Sequence, residues 1–237
     1  MTTSMDRTHA SSGPAADADS TTSARMILTM GGIGFFCGIL IVLTFQLTLP
    51  VITKNKAEAL ERAIFEVVPD ATGKKAFALV DGTLRPLAAD DDAQIKYYAC
   101  YNGGRELVGV AVEASGQGFQ DVLRVLYGYS PARSCIVGLK VLESKETPGL
   151  GDKIETDPTF RSNFDSLTVE LDASRFDIVH AIELVKPGKK TESWQVEAIT
   201  GATISSRAIA TILRKSTEVT VPVIAKNLAV LEEEGIE

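Results

Sequence analysis

The spacing of apolar residues changes along this chain, and each change marks a different kind of element. Residues 1–25 are rich in Ser, Thr, Ala and Asp without apolar periodicity, which predicts a disordered tail. From Met26 to Thr53 there is no charge, and Met26 to Leu49 is almost wholly apolar, enough as a helix to span roughly 30 Å of hydrocarbon. The expectation is a membrane anchor over residues 26–49. A cleaved signal peptide would have an apolar region of about 7–15 residues ending in a small-x-small site. Thr48-Leu49-Pro50 supplies no such site, so the anchor is expected to be retained. Between Lys54 and Val68 the apolar residues Ala57, Leu60, Ile64 and Val67 recur at helical spacing and stop before Pro69. This predicts a stalk helix whose stripe packs on the domain by default or else on a partner, within a stalk-and-linker segment covering residues 50–75.

After Phe77 the period shortens to two. Phe77 to Val80 is followed by Asp81-Gly82, then Ile95 to Tyr101, Asn102-Gly103 and Glu106 to Glu113. An Asn-Gly pair between alternating runs is a strong hairpin signal. Val122 to Tyr129 and Cys135 to Glu143 continue as strands around Pro131, with further strands near Leu167 to Leu171, Ile182 to Val185 and Trp194 to Ile199. Helical patterns lie near Pro158 to Phe164, over Ile204 to Thr217 with Ile209, Ile212 and Leu213 inward, and over Val223 to Glu234. The fold class expected for residues 76–237 is α+β, a largely antiparallel sheet with flanking helices, joined to one N-terminal transmembrane helix.

Charge and reactive residues narrow the chemistry. A net charge of −7 gives no concentrated basic face for nucleic acid. The positive-inside rule does not orient the anchor, because Arg7 and Arg25 are balanced by Lys54, Lys56 and Arg62. Cys37 lies in the anchor. Cys100 and Cys135 lie in apolar strand-like runs without the spacing of a zinc, iron–sulfur or haem site. They are either two buried thiols or a disulfide in an oxidising compartment. His9 and His180 are the only histidines, so no metal site is expected, and any redox carrier should be organic.

Three Gly-rich or polar segments interrupt the strands. Thr200-Gly201-Ala202-Thr203 sits between a strand and a helix, where small residues and free N–H groups suit a phosphate. The Thr203 hydroxyl would lie close enough for a phosphoester. Glu146-Thr147-Pro148-Gly149-Leu150-Gly151 would let backbone lie flat against a planar ligand, and Ser115-Gly116-Gln117-Gly118-Phe119 adds two glycines, an amide and a ring. Each segment also has an ordinary reading without ligand. Gly116 and Gly118 would form a left-handed turn, Pro148-Gly149 a type II turn, and Thr200 or Thr203 a helix N-cap.

With their neighbours, these runs resemble the G subunit of the Rnf electron-transport complex, called Rsx in some bacteria. The resemblance is carried by Ser115 to Val122, Val125 to Tyr129, Glu143 to Ile154 and Thr200 to Ser206, and extends from the anchor to the last helix. The C subunit of the sodium-pumping quinone reductase shares the attachment motif and is a poorer match around Gly151-Asp152-Lys153. The resemblance implies an FMN-binding domain with FMN covalently attached through its phosphate to Thr203. It implies a single-pass protein of the bacterial inner membrane, its domain periplasmic, in a translocase passing electrons between ferredoxin and NAD while moving ions. Partners would be the other membrane, iron–sulfur and flavin subunits, membrane lipid, and a flavin transferase for maturation. Thr200, Gly201, Ala202 and Ser205 or Ser206 are expected around the phosphate, and Glu146, Thr147, Leu150 and Gly151 beside the ring. Thr203 is a tether, so no residue is assigned as catalytic. The attachment motif usually begins with Asp six positions before the acceptor, where this chain has Glu197. That departure motivates a second reading, a membrane-anchored binding or assembly module without covalent flavin. A third, a stand-alone flavin reductase, finds no GxGxxG nicotinamide fingerprint between a strand and a helix.

Overall fold

The computed structural model describes residues 17–87, 95–174 and 176–236. The chain divides into two compact units, residues 1–56 and 57–237. Helix α1 (Asp17–Val67) supplies the first unit and begins the second. Of the expected tail, residues 1–16 lie outside the described residues, and residues 17–25 belong to α1. In the first unit α1 is long and apolar enough to cross a membrane, and its side chains from Met26 to Ile52 are exposed. The Thr29, Thr48 and Thr53 hydroxyls donate to the carbonyls of Arg25, Thr44 and Leu49, satisfying polar groups that lipid could not. The helix continues through Pro50, so anchor and stalk are one element.

The second unit is built on a seven-stranded sheet of β1 (Gly73–Val80), β2 (Thr83–Pro86), β3 (Lys96–Tyr101), β4 (Leu107–Gln117), β5 (Val122–Ser130), β6 (Cys135–Glu143) and, beyond two short helices, β7 (Leu167–Thr168). Its order is β2-β1-β3-β4-β5-β6-β7, and every pairing is antiparallel. Local turn chemistry sets the hairpins. Asp81 and Gly82 both take positive φ (51° and 81°), as a two-residue type I′ turn requires, and pair Val80 with Thr83. The β3–β4 hairpin forms where Asn102-Gly103 predicts one, with a longer loop. Asn102 Oδ1 accepts from the N–H groups of Gly104 (2.9 Å) and Glu106 (3.0 Å), and the left-handed residue is Arg105, φ 63°.

Two helices, α2 (Lys153–Thr156) and α3 (Pro158–Ser162), follow β6. A second, two-stranded sheet pairs β8 (Glu183–Val185) with β9 (Gln195–Glu197) in parallel, the exception in an antiparallel molecule. Helices α4 (Thr203–Lys226) and α5 (Leu228–Ile236) complete the chain. α4 extends past the expected Thr217 and through Pro222, because Thr220, Val221, Pro222 and Ile224 are all buried. Packing outweighs the hydrogen bond and propensity lost at β-branched residues and proline.

Strand alternation covers both sheet faces. Tyr97, Ala99, Tyr101, Val110, Val112, Val125 and Tyr127 join the core beneath α4, whereas Tyr98, Cys100, Ala111 and Leu126 meet Ala63, Ile64, Val67 and Val68 of the α1 end. The expected stalk stripe is thus buried at Ile64 and Val67, while Ala57 stays exposed. Burial pushes the Tyr97, Tyr98, Tyr101 and Tyr127 hydroxyls up to about 12. Above about pH 10 an unfolded chain gives up phenolic protons that the folded one retains. Their contribution to stability is therefore complete below about pH 10 and is lost as pH rises towards 12. In an alkaline titration, the phenolate absorbance of these four should appear together with loss of secondary structure. Ionisation near pH 10 in a still-folded protein would contradict the burial argument.

Candidate functional site

Helix α4 opens on a tight turn. Ala202 N–H donates to the Ile199 carbonyl (3.1 Å) across Thr200-Gly201, and Gly201 takes φ +85°, the third position of a type II turn. The buried Ser206 hydroxyl fixes this turn, accepting from Ile199 N–H (3.1 Å) and donating to the Ala202 carbonyl (2.9 Å). The N-cap is Ala202, so neither Thr200 nor Thr203 fills the capping position, and among the described residues no side chain caps the first N–H groups of this 24-residue helix. Thr203 is the first helical residue and is exposed. Its hydroxyl makes a single long contact, 3.5 Å, to the Ile199 carbonyl.

Glu146 brings the other segments to this helix. It is buried, 6% exposed, and both carboxylate oxygens are engaged. Oε1 accepts from the N–H groups of Phe119 (2.8 Å) and Gln120 (3.3 Å), while Oε2 accepts from the Ser205 hydroxyl (2.5 Å). A buried polar side chain is tolerated when such donors replace water. Gln120 Nε2 also donates to Thr147 Oγ1 (3.1 Å), tying the same two loops. The exposed Lys145 pairs with Asp121 (2.5 Å), which holds the Asp121 carboxyl below its ordinary range. Three exposed apolar side chains, Phe119, Leu150 and Ile204, stand on or next to residues in this cluster.

The glycines here serve packing against protein. Gly116 and Gly118 do not have positive φ, which removes the left-handed-turn reading. A Cβ on Gly116 would lie 2.6 Å from Ile212 Cγ1, and one on Gly118 would strike Glu146 Oε1 and lie 2.8 Å from the Asp121 carbonyl. At Gly151 it would lie 2.6 Å from Glu146 Oε2 and 2.9 Å from Ser205 Oγ. Thr147-Pro148-Gly149-Leu150 does form the type II turn, with Gly149 at φ +77° and Leu150 N–H on the Thr147 carbonyl.

Not every expected neighbour converges. Thr200 lines a cavity of about 500 Å3 with Glu197, Ile199, Lys153 and Phe160. Ser115, Gly116 and Gln117 border a separate groove of about 570 Å3 against Ile212 and Lys215 of α4. Cys100 and Cys135 are both buried and free. Strands β4 and β5 separate theirs, which at ~4.8 Å per step puts them roughly 14 Å apart, beyond the ~7 Å a disulfide spans. The disulfide alternative is therefore excluded, and burial pushes the Cys100 thiol up to about 12. His180 stacks on Trp194, ring centroids 4.0 Å apart, and no cluster of metal-binding side chains occurs among the described residues.

The G subunit of the ion-translocating oxidoreductase complex from Methanosarcina acetivorans is 33% identical over 203 residues, covering 85% of this chain and 96% of that protein. The chain belongs to this G-subunit family. The Shewanella piezotolerans member is 27% identical over 80% of this chain and 85% of its own length. The family described as FMN-binding domain matches residues 118–218, a stretch holding Glu146 and the whole Thr200–Thr203 turn. The crystal structure of Shewanella oneidensis NqrC shares the fold, with a TM-score of 0.57 at 19% identity over 77% of this chain and 98% of that one.

In this member of the G-subunit family, one organising residue has no motif to announce it. Asn163 is buried just after α3 and clasps β9 through both backbone polar groups of Glu197. Its Oδ1 accepts from Glu197 N–H (3.0 Å) and Lys190 Nζ (3.1 Å), and its Nδ2 donates to the carbonyls of Phe160 (3.0 Å) and Glu197 (3.3 Å). Burial pushes Lys190 below the ordinary lysine value, against the opposite pull of Glu197. The Glu197 carboxylate accepts from Gly188 N–H (2.5 Å), so the longer side chain at the departing motif position is occupied in closing the Pro187-Gly188 turn. The one local cue was Asp157 before Pro158, whose carboxylate accepts from Phe160 N–H (3.0 Å) and starts α3.

Proposed function

We propose that this chain is the electron-carrying subunit of a membrane complex coupling electron transfer between ferredoxin and NAD to ion translocation, with FMN held through a phosphoester on Thr203. Family membership and the FMN-binding domain match support the role. The observation that carries the attachment is the exposed Thr203 hydroxyl at the uncapped start of α4, beside a Gly201 that has open space around it. Free first-turn N–H groups and the helix dipole would hold the phosphate there. The residues also fit the rest of such a group. Phe119, Leu150 and Ile204 offer apolar surface to a planar ring, and Asp152 next to Gly151 has a buried Oδ1 with no hydrogen-bond partner among the described residues, an acceptor that a ribityl hydroxyl or ring N–H would complete.

The flavin supplies reversible electron transfer when bound; the protein supplies placement and polarity. A covalent tether keeps the carrier at high local concentration without free FMN. The long apolar helix supports a single-pass membrane protein, and we place the domain on the periplasmic side of the bacterial inner membrane. The other membrane, iron–sulfur and flavin subunits are its partners, and a flavin transferase matures it. Glu146 acts on the ring site by holding its borders, because both of its oxygens serve protein donors.

Full-length protein produced with its flavin transferase should gain the mass of FMN less one water, and Thr203→Ala should gain none. Covalent flavin on the Thr203→Ala protein would overturn the assignment. A matured wild-type band without fluorescence after denaturation would instead favour the assembly-module reading.

A further inference from the structure

We propose that Glu146 is the positioning residue that sets the Thr203 hydroxyl for flavin attachment, an inference that rests on the tether reading above. The geometry is a tripod on one buried carboxylate. One foot is the Phe119–Gln120 backbone, held by Oε1; another is the first turn of α4, held at Ser205 by Oε2. The third is Gly151, whose missing Cβ leaves the space that the carboxylate and the Ser205 hydroxyl fill. These feet lie 27 and 59 residues from Glu146 in sequence at Phe119 and Ser205, so no local structure holds them together.

Ser205 is two residues beyond Thr203 on the same helical turn. Thr203 itself has only the 3.5 Å contact to Ile199. The Ser205–Glu146 bond therefore fixes the azimuth of that turn relative to Phe119 and Leu150, and with it the direction of the Thr203 Cα–Cβ bond that carries the hydroxyl. Gly118 and Gly151 close on the carboxylate from its two oxygens, so it cannot swing away without displacing backbone. During attachment the Thr203 O–P bond forms, the pyrophosphate O–P bond of a flavin dinucleotide donor breaks, AMP leaves, and the hydroxyl proton passes to solvent. Glu146 touches none of these atoms. It contributes by pre-paying orientation, an effect that misplacement of about 1 Å can reduce 100-fold.

The test uses full-length protein in detergent with purified flavin transferase, FAD and Mg2+, well below each variant's unfolding midpoint. Glu146→Ala should lower the labelling kcat about 10- to 100-fold with KM for the acceptor protein little changed. Glu146→Gln should restore most of it, because the amide oxygen still accepts from the two N–H groups and Ser205 can accept from the amide. Ser205→Ala removes one foot only, and should fall between them even if Glu146→Ala does not fold. Flavin that does attach to Glu146→Ala should have the unstructured absorption and bright emission of free FMN. Wild-type kcat and spectrum in Glu146→Ala, or a Glu146→Gln as impaired as Glu146→Ala, would overturn the positioning role while leaving the tether intact. No covalent flavin on the unaltered chain would remove both.

Discussion

Gly128→Ala should destabilise the domain by about 3 kcal/mol or more, the largest effect expected of a single added methyl here. A Cβ on Gly128 would collide with the Val67 carbonyl oxygen and lie 2.8 Å from its carbonyl carbon and 2.9 Å from Val68 Cγ2. A Cβ on Gly138, its register partner on β6, would lie 2.6 Å from the same oxygen, and one on Gly109 of β4 would lie 3.0 Å from Val68 Cγ1. Three adjacent strands thus present a glycine trough in which the last turn of α1 is seated. The obstacle is helix backbone, which cannot rotate aside as a side chain would. Relief requires α1 to lift, uncovering Ile64, Val67, Val68 and Leu126, all of them at most 1% exposed. For a domain of this size, the thermal midpoint should fall by about 6–12 °C. Gly103→Ala, with nothing within 4 Å of its added methyl, is the control and should change little. Equal midpoints for Gly128→Ala and wild type would show that the trough does not constrain the helix.

Asn163→Ala should cost about 2–4 kcal/mol, because it strips partners from the Glu197 N–H and carbonyl and the Phe160 carbonyl at once. Asn163→Asp should not rescue it. The new oxygen would face two carbonyls where the amide donated, although Oδ1 could still accept from Glu197 N–H. β9 leads through Ala198 and Ile199 into the turn carrying Thr203, so the loss should spread to the site. Hydrogen exchange should accelerate at Glu197 and Ile199 in Asn163→Ala while the amides of β4 and β5 keep their protection. Unchanged exchange at those two positions would detach Asn163 from the site.

Both effects depend on contacts that local pattern does not encode, whereas much of the framework is local. A charge-free apolar stretch determines a helix able to cross a membrane, since length and transfer energy suffice. Alternation in β3 to β6 determines which residues face each side of the sheet, since the pleat has period two. Asp81-Gly82 determines a hairpin, and Thr147-Pro148-Gly149 a type II turn, because φ preferences belong to the residues themselves. At Thr200–Thr203 the sequence marked a junction between a strand and a helix, and the type II turn there, with Gly201 at φ +85°, came from the structure.

Tertiary structure alone showed which glycines of the domain make room for distant side chains. Gly116, Gly118 and Gly151 make room for Ile212 and Glu146, side chains distant in sequence that no local pattern announces. It turned Glu146 into the bond between three segments, revealed the Asn163 clasp, and carried α4 through Pro222. It also separated Cys100 from Cys135 by placing β4 and β5 between their strands. The physical division is one of range. Period and backbone preference act over a few residues and can be read in order, while burial and hydrogen-bond satisfaction join groups that the chain brings together only after it has folded.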